Sequence, residues 1–271
     1  MQTLLQDRVS APTDERAREI AALGPWFHNL HLPDGSQTAP HHVLGDFPSD
    51  VWAALSPHFP EDLQGCTALD IGCNSGFYSF RLAERGARVT AIDYDERFLA
   101  QARWGAREFG VEDRVTIRQA QVYDLARDDT SYDIVLFLGV FYHLRYPLLA
   151  LDLVARRVRR WLAFQTLTMP GMEVADAAER DHDIAEREVL SAPGWPRMAF
   201  IEHRFAGDET NWWAPNHAAV LAMLRSSGLL VRAHAGTELY VCEPMGNAVW
   251  RSERGAAELA AATGTRQETS R

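Results

Sequence analysis

Three groups of residues in this chain could do chemistry together. The first is the run Asp70-Ile71-Gly72-Cys73-Asn74-Ser75-Gly76, an acid two positions ahead of a glycine-bounded turn. The second is Asp93, 23 positions after Asp70. The third is Tyr142-His143, which follows the apolar run from Tyr132 to Val140. Glycine has no Cβ, so Gly72 and Gly76 admit a ligand close to the main chain. A strand that ends in such a turn and opens a helix is expected to leave backbone N–H groups free beside that ligand. An acid at the tip of the next strand, about 20 residues past the turn, is placed to accept hydrogen bonds from ribose hydroxyls. Together these features read as a site for an extended, polar, adenosine-containing molecule. A dinucleotide site wants G-x-G-x-x-G, and the middle glycine that admits a pyrophosphate is missing here, which argues against a nicotinamide oxidoreductase. An unperturbed histidine titrates near neutrality, so His143 suits a base, with Tyr142 orienting a bound group.

The elements that must position these residues alternate between strand and helix. Residues 67–69 read as a short buried strand and 77–85 as a helix packing Phe77, Phe80 and Leu82. Residues 88–93 form a second strand that ends on Asp93. The helix over 95–109 carries Leu99, Ala102, Ala106 and Phe109 on one face, and Gly110 ends it. Residues 115–120 and 132–140 are further strands, the latter apolar nearly throughout, as a central parallel strand covered on both faces should be. Ligands of open α/β sheets gather at the carboxyl ends of the strands, where Tyr142 and His143 fall. Pro147 starts a helix with Leu148, Leu151, Ala155 and Val158 on one face. Arg156, Arg157, Arg159 and Arg160 are expected at its negative end as dipole compensation. Residues 161–168 give a fifth strand.

Flanking segments read differently. A helix over 13–23, capped by Thr13, precedes an aromatic and polar stretch that includes Trp26, His28 and the turn Pro33-Asp34-Gly35. Residues 49–59 read as a short helix capped by Ser49. Four histidines within residues 28–42 raise the question of a metal, but no acid-flanked or cysteine partner completes a ligand set, and none is expected. Pocket lining is the better reading, with Trp26 and His28 on the substrate side. The connection over 169–215 is long, with one helix expected around 179–190, and connections of that length are commonly lids or binding loops. Its end, Asn211-Trp212-Trp213, would stack on a hydroxylated or planar substrate and hydrogen-bond to it. Asn216 caps a helix closed by Gly228, and two strands follow. The chain therefore divides into an N-terminal cap (1–60), a core (61–246) with the insertion 169–215, and a tail (247–271) whose last ten residues are expected to be disordered.

Composition narrows the partners. With 46% hydrophobic residues, eight Trp and twelve Phe, the chain can fill a core and wall an organic-ligand pocket. A net charge of −10, from 37 acids and 27 bases, disfavours a broad nucleic-acid surface. Cys66, Cys73 and Cys242 are isolated and odd in number, which suits a reducing cytoplasm. Residues 1–7 lack the pattern of a secretion signal, and no apolar run approaches the roughly 20 residues of a membrane helix.

The order D-x-G-x-x-x-G resembles motif I of the class I S-adenosylmethionine (SAM) methyltransferases, over about residues 61–244. Within that superfamily, Pro25-Trp26, the glycine turn, Gly139-Val140-Phe141-Tyr142-His143 with Pro147, and 216–228 before the last strands are similar to bacterial enzymes that modify 5-hydroxyuridine at the tRNA wobble position. The resemblance implies a doubly wound, Rossmann-like α/β fold with a mostly parallel seven-stranded sheet, an N-terminal extension and an insertion after the fifth strand. It implies SAM as cofactor, with Asp70, Gly72, Cys73, Asn74 and Gly76 around its methionine end, Tyr94 over the adenine, Gln121 and Val122 at the adenine edge, and Gly139 beside it. Many relatives carry Asp where Gln121 stands. Relatives that use carboxy-SAM have a lysine shortly after the Pro-Trp pair, where this chain has Phe27-His28-Asn29, so ordinary SAM is implied. The resulting expectation is O-methylation of a small sugar-like or phenolic acceptor by His143 and Tyr142. A tRNA wobble-uridine enzyme and a non-catalytic SAM-binding module stand as alternatives.

Overall fold

The computed structural model describes residues 14–245 and 251–265. In chain order its strands are β1 (Thr67–Ile71), β2 (Arg88–Asp93), β3 (Val115–Gln119), β4 (Tyr132–Leu138), β5 (Val158–Gln165), β6 (Met198–Phe200), β7 (Trp213–Pro215), β8 (Leu229–His234) and β9 (Leu239–Pro244). Seven of them make one sheet in the order β3-β2-β1-β4-β5-β9-β8, and β6 and β7 pair as a separate antiparallel ribbon. β2 with β3, β1 with β4, and β4 with β5 run parallel, whereas β9 is antiparallel to both β5 and β8. Ile134 to Phe137 of β4 are fully buried, as a strand covered on both faces requires.

Residues 14–65 and 73–119 form one compact unit; 66–72 and 120–265 form another. In the first lie α1 (Asp14–Leu23), α2 (Phe47–Leu55), α3 (Phe77–Glu84) and α4 (Glu96–Glu108). α4 begins where Asp95 accepts the Arg97 N–H, and its inward face buries Leu99, Ala102 and Ala106. The stretch after α1 is built into the core rather than laid over it. Leu30 is fully buried, its N–H donates to the Thr38 hydroxyl, and the buried Gln101 amide of α4 donates to the carbonyls of Leu23 and Pro25. In the second unit lie α5 (Pro147–Ala155), α6 (His217–Ser226) and α7 (Glu253–Thr263). Asn216 caps α6 by accepting the Ala219 N–H at 2.9 Å, as expected.

Several elements differ from the sequence reading. α2 starts at Phe47, two residues before the expected Ser49 cap, and ends in a 3-10 turn over Ser56–His58. The expected Thr13 cap lies outside the described residues. α5 stops at Ala155, and Val158 begins β5, so Val158 continues the helical spacing by coincidence. Of the four arginines, Arg156 is the C-cap of α5, and the other three have separate partners. Arg157 is buried and donates to the Leu125 carbonyl, Arg159 pairs with Asp133 at 3.1 Å, and Arg160 lies 4.0 Å from the Trp161 ring centroid. The insertion holds two 3-10 turns, Asp176–Glu179 and Ile184–Ser191, in place of an α-helix. α7 occupies part of the segment read as tail, and residues 266–271 lie outside the described residues.

Gly105 in α4 marks how tightly α3 and the N-terminal stretch pack. A Cβ there would meet the Phe80 ring at 2.7 Å and Leu30 Cδ1 at 3.3 Å. Glycine to alanine inside a helix ordinarily stabilises by about 0.5–1 kcal/mol. Here overpacking wins: Gly105→Ala is expected to lower stability by about 1–2 kcal/mol and Tm by a few degrees. A raised Tm in thermal unfolding would show that Phe80 swings aside at little cost.

Candidate active site

The glycine turn is held by its own chain. The Cys73 N–H donates to the Ile92 carbonyl at 3.0 Å, the Asn74 N–H to Asp93 Oδ2 at 3.0 Å, the Ser75 N–H to the Asn74 side chain at 2.8 Å, and the Gly76 N–H to the Cys73 carbonyl at 2.9 Å. The expectation of free amides at this turn is thereby corrected for these four positions. An anion as large as a pyrophosphate finds no amide to bind among them. Left-handed backbone marks the same stretch: Gly72, Asn74 and Gly76 have φ of +70°, +51° and +87°. A Cβ on Gly72 would collide with Val140 and one on Gly76 with Phe80, so both glycines are required by packing as well as by conformation.

Asp93 is 7% exposed. Its Oδ2 accepts the Asn74 N–H and its Oδ1 the Asp95 N–H, each at 3.0 Å. Burial raises its pKa, and the backbone donors work against that shift. A carboxylate offers about four lone-pair positions, so two amide bonds leave capacity for ribose hydroxyls. Tyr94 is exposed. Asp70 is buried at the end of β1.

The other N-terminal candidates part company. Trp26 donates its indole N–H to the Ile20 carbonyl at 2.7 Å and packs 5.5 Å from Trp104, which joins α1 to α4. His28 is buried among Phe47, Phe77 and Tyr78, with ring centroids 5.5 to 6.3 Å away. Burial first, then His42, pushes its pKa down to about 3, so the ring is neutral at any working pH; its Nδ1 has no partner. His31 pairs with Asp46 at 2.7 Å. Among the described residues no three His, Cys, Asp or Glu side chains converge as a metal site would need.

In the second unit, Gln121 is exposed, with its N–H donating to Asp124 at 2.8 Å, and Val122 is buried beside it. Gly139, at the end of β4, has φ of +69°; a Cβ there would meet the Tyr142 hydroxyl at 3.8 Å, an ordinary van der Waals contact.

Tyr142 and His143 sit in a 3-10 turn, rings 4.2 Å apart. Burial, then Glu238 and Asp208, drive the Tyr142 phenol up to about 12, so it remains a protonated donor. His143 is held by two residues that sequence reasoning passed over. Its Nδ1 lies 2.9 Å from Thr210 Oγ1, and the Thr210 hydroxyl lies 2.7 Å from Asp208 Oδ1. A carboxylate only accepts, so the single hydroxyl proton of Thr210 goes to Asp208. The Thr210 oxygen must then accept from His143 Nδ1–H. This fixes the tautomer and leaves the Nε2 lone pair for a substrate. Burial lowers the His143 pKa, with Asp208 and Thr210 opposing it, so the ring is neutral at pH 7. The signal in the sequence was the Asp208-Glu209-Thr210 spacing, an Asx turn in which Asp208 also accepts the Thr210 N–H at 2.7 Å.

The β6–β7 ribbon carries this loop to the turn. The Trp212 N–H donates to the Tyr142 carbonyl at 2.9 Å, and Ile201 N–H to the Trp212 carbonyl at 2.8 Å. Asn211 donates to the Phe205 carbonyl, while its Oδ1 and the Trp213 indole nitrogen are buried without partners.

The sequence profile of the methyltransferase domain family matches residues 68–163. That span runs from β1 through the glycine turn, Asp93, Tyr142 and His143 into β5. The chain carries a class I SAM-dependent methyltransferase domain. The methyltransferase domain has distant curated relatives. The tRNA U34 carboxymethyltransferase of Cellvibrio japonicus is 29% identical over 239 residues, 83% of this chain and 66% of that one. The enzyme of the same name from Marinobacter nauticus is 32% identical over 150 residues, 54% of this chain and 45% of that one. The chain thus spans about half to two thirds of these relatives' lengths. Among solved structures, the N-terminal domain of EvdMO1 with S-adenosylhomocysteine (SAH) bound superposes with a TM-score of 0.56 at 22% identity, across 90% of this chain and 100% of that one. The same domain in the presence of SAH and D-fucose gives 0.53 at 20% identity, across 87% and 97%. This likeness is one of fold.

Asp93 gives a direct test. Asp93→Asn keeps the size but exchanges one acceptor oxygen for a donor, so an amide N–H of the turn loses its partner. SAM affinity measured by calorimetry should fall by about tenfold or more, with a stability loss of about 1–3 kcal/mol. Undiminished affinity would mean the ribose is held elsewhere.

Proposed function

We propose that the methyltransferase domain methylates a hydroxyl oxygen of a small, sugar-like or phenolic acceptor, with His143 as general base. The observation that carries this reading is the Thr210 hydroxyl. It accepts from His143 Nδ1 and donates to Asp208, so the neutral imidazole presents Nε2 as a base. Asp93 takes the ribose hydroxyls, and Asp70 with the Gly72 main chain takes the methionine end of SAM. Gly139 lies beside the Tyr142 hydroxyl, and Tyr142 donates a hydrogen bond to the acceptor oxygen or a neighbouring oxygen. Trp212 and Asn211 serve the acceptor.

Bound SAM supplies a methyl group already activated on a sulfonium. The chain therefore has little to do but position and deprotonate, and positioning contributes several kcal/mol in such reactions. With SAM bound, the methyl would pass to the acceptor oxygen and SAH would leave, while His143 Nε2 takes the acceptor O–H proton. The imidazolium that results is stabilised through Nδ1–H by Thr210 and by the Asp208 carboxylate, 3.8 Å away. The proton then leaves to solvent.

A second reading has its own support. The relatives matched over most of this chain are named for carboxymethylation of U34 in tRNA. Under that reading the acceptor is a hydroxylated uridine in an RNA loop, and binding should fall steeply with salt. Gel shift with unfractionated tRNA at two salt concentrations separates the readings. Under the small-acceptor reading, no salt-sensitive complex forms at micromolar protein.

Kinetics test the base. His143→Ala should lower kcat by about a hundredfold or more while SAM affinity stays within a few-fold. In the parent enzyme kcat should rise with pH and level off, with its midpoint below the ordinary histidine value of 6.5, because burial lowers the His143 pKa. Asp208→Asn removes a charge that raises that pKa, so its midpoint should move further to acid. A midpoint above 6.5, or one that Asp208→Asn leaves in place, would take His143 out of the proton transfer.

A further inference from the structure

We infer that the acceptor carries an oxyanion, a phosphate or a carboxylate, and that Arg145 receives it on a platform made by Trp212 and Phe200. The inference deepens the O-methyl transfer reading and rests on it. Arg145 stands two positions after His143 and is exposed. Its guanidinium carbon lies 5.0 Å from the Trp212 ring centroid and 5.2 Å from that of Phe200. Those two rings are nearly parallel, 12° apart, with centroids 6.3 Å from each other. Trp212 is itself bonded through its N–H to the Tyr142 carbonyl, so the cation is held at a set distance from the base and the phenol.

What this cation lacks is a counter-charge. Arg16, Arg81, Arg97, Arg103, Arg159 and Arg232 each meet a carboxylate. Among the described residues none lies within ion-pair distance of Arg145, in a chain whose acids outnumber its bases 37 to 27. Asp208, on the same loop as Trp212, is engaged by both the hydroxyl and the N–H of Thr210. Stacking on aromatic faces orients a guanidinium and leaves its N–H edge for a partner. That edge matches two oxygens of a phosphate or carboxylate, held by two parallel hydrogen bonds. A second unmet donor belongs to the same cluster: the Trp213 ring lies 5.0 Å from Phe200, and its buried indole N–H has no acceptor. An acceptor anchored here by its oxyanion would place a nearby hydroxyl toward His143.

Calorimetric titration of the full chain, with SAH present, using phenyl phosphate, benzoate and benzyl alcohol tests the site. At least one anion should bind about tenfold or more tightly than the alcohol, as expected for a charge-assisted bidentate contact. Arg145→Gln should erase that preference, Arg145→Lys should restore part of it, and SAH affinity should be the same in all three proteins. Trp212→Phe should keep the preference and Trp212→Ala reduce it. Tighter phenyl phosphate assigns a phosphate, and tighter benzoate a carboxylate. No anion preference at millimolar ligand, or a preference that survives Arg145→Gln, overturns the inference. None of these readouts involves turnover. Failure of the His143 kinetics with the anion preference intact would sink the transfer reading alone, and the reverse result would sink only the oxyanion subsite.

Discussion

The Asp93 carboxylate is the constraint on which the glycine turn and the entry to α4 depend. One oxygen secures the Asn74 amide of the glycine turn and the other secures the Asp95 amide at the entry to α4. A buried carboxylate is costly unless its lone pairs are filled, and these two amides offset much of that cost. The same bonds consume donors that a phosphate would otherwise use. A turn closed on itself in this way suits a ligand whose recognisable polar groups are hydroxyls, an amine and a carboxylate better than one built around a pyrophosphate.

The turn of Tyr142 and His143 rests on a different kind of constraint, one of hydrogen-bond direction. Thr210 has a single proton, and Asp208 takes it, so the orientation of every bond back to His143 is settled without reference to a substrate. A loop of the insertion thereby sets the tautomer of a residue in a turn 67 positions earlier. The ribbon of β6 and β7 is short, but the bond from Trp212 to the Tyr142 carbonyl is enough to register the loop against the turn. Burial depresses the His143 pKa and raises that of Tyr142, so both adjacent side chains are neutral at pH 7.

The N-terminal stretch shows how aromatic composition can mislead. Trp26 and His28 were expected to face a substrate. Trp26 instead spends its indole N–H on the Ile20 carbonyl and packs on Trp104. His28 sits in a closed aromatic nest with its basicity suppressed. An aromatic residue reads the same in sequence whether its ring lines a pocket or a core, because both places favour large apolar surface.

Local sequence determined the strand–turn–helix order, the two acids at strand tips, the Asn216 cap and the tyrosine–histidine pair. Each depends on a residue's own conformational or chemical preference and on neighbours within a few positions. Glycine at positive φ, an acid at the end of an apolar run and a capping amide announce themselves that way. Only tertiary structure decided the rest. Val158 went to β5 because it pairs with Tyr132 of β4, against a helical spacing that it also fitted. Arg157 was claimed by the Leu125 carbonyl, and Thr210 and Asp208 by His143. Arg145 sits on its aromatic platform with no acid at ion-pair distance among the described residues. Those outcomes turn on which groups meet across long stretches of chain, and spacing along the sequence carries no record of such meetings.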